Sequence, residues 1–122
     1  MSESLQEHTI LYDVKAYLGL NPSEVDEDFD PIIVKKINKA IAKIAQLGVR
    51  NLGEFSVTTG NETWDDFLGD DFQYLRAFAI DYIECVTKMS FDPPQSGSLY
   101  SALEEEIRQA TFDVQTAIES HE

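Results

Sequence analysis

Carboxylates are the first side chains in this sequence that could do chemistry, because Glu62, Asp65, Asp66, Asp70 and Asp71 fall in one short stretch. Hard cations take several oxygen ligands, so the group invites a metal reading. The spacing is not that of a calcium loop, however, and a capped, solvated helix start accounts for the same residues; no metal is expected. Thiol and imidazole chemistry has less to work with. Cys85 is the sole cysteine, which excludes an intramolecular disulfide and a thiolate metal cluster, and no histidine or basic residue adjoins it in sequence. His8 and His121 lie near opposite ends. A nucleophile needs a base within reach, and a phosphate site needs a glycine-rich cradle. Neither pattern is present, so no catalytic residue, no cofactor and no enzymatic activity are expected. Asn61-Glu62-Thr63 matches a glycosylation acceptor but reads more simply as a turn followed by a helix cap. Trp64 and Tyr74 could form an aromatic binding patch, yet a large aromatic at a helix start is more often a core staple, which is the reading adopted for Trp64.

Positive charge is concentrated in one place. Lys35, Lys36, Lys39 and Lys43 recur at helical spacing in a chain with 23 acidic and 9 basic residues and a net charge of -14. The row is a solvated helix face, or it meets acids of a neighbouring subunit such as those from Glu62 to Asp71, or, least favoured, it faces DNA across a channel. So acidic a surface repels phosphate backbones, which excludes gripping nucleic acid but not lying close to it. A chain of 122 residues, 43% hydrophobic, can bury one core, so a single folded domain is expected rather than disorder. No run is long and apolar enough to span a bilayer, and the start lacks the basic region of a signal peptide; a cytosolic protein with no membrane contact is expected.

The elements that position these residues read as helices. Residues 1–8 are polar and form an expected flexible tail; the domain covers 9–119, and 120–122 should fray. Thr9 caps a short helix burying Ile10, Leu11, Val14 and Leu18, and Gly19 stops it. After the acidic connector Asn21 to Asp28, Asp30 and Pro31 take cap and first-turn positions of a second helix. Ile33, Ile37, Ala40, Ile41, Ile44 and Leu47 form its buried stripe, and Gly48 ends it. From about 52 to 63 the helical period is lost. Phe55-Ser56-Val57-Thr58 alternates before Thr59-Gly60-Asn61, which predicts a β-hairpin or extended loop. Thr63 and Asp66 then form a capping box for a central helix reaching to Asp92-Pro93-Pro94, with a kink at Gly69. Its stripe is Phe72, Leu75, Phe78, Ala79, Tyr82, Val86 and Met89, of which Leu75, Phe78, Tyr82 and Val86 are expected in the core. A last helix carries Leu99, Leu103, Ile107, Ala110, Val114, Ala117 and Ile118, with Glu104, Glu105 and Glu106 near its start. The expected fold is therefore all-α, a small bundle of about four helices with the hairpin or loop inserted before the central helix.

These punctuation marks also carry a resemblance. Trp64-Asp65-Asp66-Phe67-Leu68-Gly69-Asp70-Asp71, Phe91-Asp92-Pro93-Pro94, Asp13-Val14-Lys15-Ala16-Tyr17-Leu18-Gly19, Gln46-Leu47-Gly48-Val49 and the serine-rich restart after the prolines follow one another in a familiar order. Over residues 10–119 the sequence resembles the head-tail connector (adaptor, or head-completion) proteins of long-tailed bacteriophages. The resemblance implies a structural virion protein, made in the host bacterial cytoplasm, that sits at the head-tail junction. It implies a ring, commonly twelve-fold, below the portal protein and above a further head-completion or tail protein, with DNA passing nearby without specific binding. It also implies that the loop at 52–62, with Phe55 and Val57, takes part in subunit contacts. The expected interface is then Lys35, Lys39 and Lys43, Phe55 and Val57, and Glu62, Asp65, Asp66, Asp70 and Asp71. A different class of function remains for so acidic a helical protein: mimicking DNA to inhibit a nucleic-acid enzyme, which would require dense carboxylates over one continuous face.

Overall fold

Thr9 leads into the first helix: its extended backbone turns into α1 (Ile10–Tyr17), and its Oγ1 accepts from the Tyr12 N–H at 3.1 Å. The computed structural model describes residues 9–121, so the tail expected at 1–8, His8 and Glu122 lie outside the described residues. Beyond α1 come α2 (Asp30–Ala45), α3 (Trp64–Leu68), α4 (Arg76–Phe91) and α5 (Gly97–His121), with 3-10 turns at Arg50–Glu54 and Gln73–Leu75.

The central helix expected from Thr63 to Pro94 is broken in two. Gly69 has φ +61° and ψ -164°, which no helix accommodates, so α3 stops there after five residues. Its start holds the expected capping box between Thr63 and Asp66. The break is clipped from both sides: the Gln73 amide donates to the Gly69 carbonyl at 2.8 Å, and Arg76 bridges to Asp65 at 2.5 Å. Leu75, Ala79, Tyr82, Ile83 and Val86 face inward, and Phe78, at the edge of that stripe, is 39% exposed rather than in the core.

Of the β-hairpin or extended loop expected before the central helix, no hairpin forms among the described residues: 55–62 run as a loop, and Thr9 and Thr63 make an isolated antiparallel bridge. Two side chains do the work of a partner strand. Asn38 on α2 accepts from the Val57 N–H at 2.8 Å and donates to its carbonyl at 2.9 Å, while Glu62 gathers the N–H groups of Thr58, Thr59 and Gly60. A lone two-stranded hairpin is marginal in water, and here its backbone groups are satisfied without one.

Helix α4 is the middle of the bundle, packing extensively with α2 and with α5, which do not pack comparably with each other. Phe29, just before α2, meets Phe91 at the end of α4 edge to face at 5.8 Å, so α2 and α4 are antiparallel. Tyr74 before α4 stacks on His121 at the end of α5, 3.7 Å between centroids, so α4 and α5 are antiparallel too. That stack carries α5 through Ser120 and His121, where the sequence predicts fraying. Ile37, Ile41, Ile44, Trp64, Leu75, Tyr82, Val86, Leu103 and Val114 are buried, and Ile107 is half-buried against them. Leu99, although in phase with that stripe, is 62% exposed.

One ion pair sits inside. Lys15 on α1, 2% exposed, lies 2.8 Å from Asp30 Oδ1 and also donates to the Glu24 carbonyl. It thereby ties α1, the acidic connector and the start of α2 together. Asp30 is consequently not the cap of α2; Phe29 occupies that position and the Asp30 carboxylate turns inward.

Candidate interaction surfaces

The acidic stretch that first drew a metal reading is spent mostly on the fold. Burial alone would raise the Glu62 carboxyl, but the N–H groups of Thr58 and Thr59 and its own outweigh it and hold the group at about 2. Asp65 is taken by Arg76, and Asp66 by the Thr63 N–H at 3.0 Å. Asp70 and Asp71 remain exposed. Among the described residues, no three His, Cys, Asp or Glu side chains converge in a way that could hold a metal ion.

A second polar group lies where α1, α4 and α5 meet. The buried Cys85 thiol is 3.5 Å from the Tyr17 hydroxyl, 3.6 Å from Glu106 and 3.7 Å from Asp81. Burial pushes the thiol up to about 12, and the Asp81 and Glu106 charges add to it, so the reactive thiolate is disfavoured. Glu84, on the same helix, is pushed up to about 7 by burial and by the charges of Asp13 and Asp81. Asp13 is held in place by the Trp64 indole, whose Nε1 donates to it at 2.7 Å. This cluster rejects anions and offers no activated nucleophile.

The surface is more distinctive than any cleft. Along the outer side of α2 run Ile32, Lys35, Lys39, Ala42 and Lys43, all exposed, with Lys36 half-buried beside them. Among the described residues none of these lysines is in an ion pair, although Lys15, Arg76, Lys88 and Arg108 each find one. The outer side of α5 carries Glu104, Glu105, Phe112 and Glu119, also exposed, with Phe112 at 61%. Val25, Phe29 and Ile32 form an apolar patch where α2 begins, beside a shallow groove of about 410 Å³ lined by Leu11, Val25, Pro31, Val34 and Thr58 among others. Among the described residues no helix is long and apolar enough to cross a membrane.

The structure separates the expected interface residues. Lys35, Lys39 and Lys43 stand together on one exposed face. Val57, in contrast, is 1% exposed and belongs to the core, where the Asn38 clasp holds its backbone; Phe55 packs on Phe67 at 5.4 Å and is only partly accessible. Sequence reasoning missed the inward turn of Lys15 and the outward turn of Phe112. Both carried a signal: Lys15 follows Leu11 by four residues on the buried side of α1, and Phe112 falls midway between Ala110 and Val114, out of phase with the α5 stripe.

An all-helical chain whose distinctive groups lie on its outer faces belongs with proteins that act through contact with other proteins. Residues 10–121 match the profile of the family described as phage connector protein, so the chain is a member of the phage connector family. It is a structural component of the bacteriophage virion, at the connection between head and tail, and it acts by contact with other head and tail proteins. No curated protein and no solved structure matches it.

Proposed function

We propose that the protein is a subunit of a ring seated below the portal, joining the capsid to the tail and surrounding the channel through which DNA leaves. The observation that carries this reading is the lysine row: a chain of net charge -14 leaves Lys35, Lys39 and Lys43 outside every ion pair within the described residues. Cations that are scarce and unpaired within a monomer are well suited to overcoming like-charge repulsion between subunits. An acidic wall lets DNA slide without adhesion, since there is no counterion release to gain. The same row interrupts the acidic surface and so counts against a DNA mimic, which needs a continuous one. The loop at 52–62 contributes through its exposed Ser56, Thr59 and Asn61 rather than through Val57. The test is negative-stain imaging of the purified protein alone and with its phage's portal protein. A ring of subunits seated on the portal is the expected image; a portal that stays bare at saturating protein contradicts the reading.

A further inference from the structure

Two helix faces are without a partner among the described residues, they lie on different flanks of α4, and their charges are opposite. The outer side of α2 presents Lys35, Lys39 and Lys43 with Ile32 and no exposed acid beyond the first turn. The outer side of α5 presents Glu105, Phe112 and Glu119. These last three are spaced by seven residues, so they form one stripe with about 10.5 Å between neighbours along the axis. Glu105 also touches Arg108 at 2.7 Å, a surface pair that gives way at little cost.

We infer that the α2 face of one copy docks on the α5 face of the next. This rests on the ring reading and deepens it by naming the acidic half of the contact. The Glu62 to Asp71 stretch is the obvious rival, but the fold consumes Glu62, Asp65 and Asp66 in a turn, a clip and a cap. Helix α5 keeps Glu105 and Glu119 on the outside. A contact between two different faces is heterologous, and heterologous contacts repeated by rotation generate rings, whereas a like-to-like contact stops at a dimer. Phe112 supplies an exposed apolar group in the middle of the acidic stripe, and the methylene stems of the lysines give it a surface to cover. Such a face leaves the protein soluble as a monomer and sticky only toward its complement.

The experiment places one cysteine on each face beside the binding groups, as Ala42→Cys and Gln115→Cys, and joins them with a short bis-maleimide at low salt. Both positions are exposed, and the native Cys85 is buried, so wild type serves as the unreactive control. Mixing the two single variants should give a mixed dimer well above either same-variant dimer. Carrying both cysteines in one chain should give a ladder of multimers, which fades in 1 M salt as the screening length shrinks to about 3 Å. Dimers only between identical variants would overturn the pairing in favour of a like-to-like contact. No crosslink from a chain that sedimentation velocity shows to be oligomeric would overturn the pairing while leaving the ring reading intact. No crosslink from a chain that stays monomeric at every concentration and salt would count against both.

Discussion

Lys15 and Lys39 are the same residue type on neighbouring helices, and they have opposite fates. Lys15 is 2% exposed, bonded to Asp30 and to the Glu24 carbonyl; Lys39 is exposed and without an ion pair. With 9 basic residues against 23 acidic ones, this chain cannot neutralise its acids, so where a lysine sits decides what it does. An inward lysine fixes the connector between α1 and α2. An outward one remains available to another subunit.

The largest effect should come from breaking the inward pair. Lys15→Met leaves the buried Asp30 carboxylate without a counter-charge, held only by the Asp26 N–H, which should cost about 3–5 kcal/mol in denaturant unfolding. Replacing both partners, Lys15→Met with Asp30→Leu, should recover most of that loss, because the penalty lies in the orphaned charge. If the single change costs less than about 1 kcal/mol, the pair is not what ties the two helices together.

Core and rim of the broken central helix should differ in the same way. Leu75→Ala, at a fully buried position, should cost about 2–5 kcal/mol, whereas Phe78→Ala should cost about 1 kcal/mol or less because its ring already meets solvent. Equal losses would mean that the stripe runs unbroken from Phe72, as the sequence alone predicts.

Much of the fold was legible in advance because helical periodicity and caps are local: Thr9, the Thr63 and Asp66 box and the α2 stripe are all visible in sequence. The choice between a hairpin and an extended loop was not, because the Val57 backbone is satisfied by Asn38, a residue far away in sequence, and alternation alone does not reveal who supplies the hydrogen bonds. Phe78 misleads for a related reason: it sits at the edge of the helical stripe beside Ala79, and spacing alone does not tell which edge the neighbouring helices cover. On the surface, the lysine row was legible as a cluster, while the internal engagement of Glu62, Asp65 and Asp66 depends on turns that only the folded chain brings together.

Two carboxylates sharpen the comparison between inside and outside at a smaller scale. The folded Glu84 titrates at about 7 against an ordinary value of 4.5, so between these values the folded chain holds a proton that the unfolded chain has lost. Stability therefore falls as pH rises through that window. Glu62 does the reverse: its folded value of about 2 means that its contribution is present above 4.5 and lost as pH falls toward 2. Glu84→Gln should flatten the decline and stabilise the protein at pH 8 by on the order of 1 kcal/mol once solvent screening is allowed for. A variant that keeps the wild-type slope in thermal melts between pH 5 and 8 would assign the decline to other groups.

The outward lysines should matter least to the fold and most to assembly, and one pair of measurements on one variant decides it. Lys39→Glu with Lys43→Glu should leave the unfolding free energy within about 0.5 kcal/mol per site of wild type, since both side chains stand in solvent. The same protein, sedimented with portal at low and moderate salt, should fail to form the ring proposed for the wild type. Normal assembly by the double variant at both salts would reduce the row to a solvated face and contradict the account.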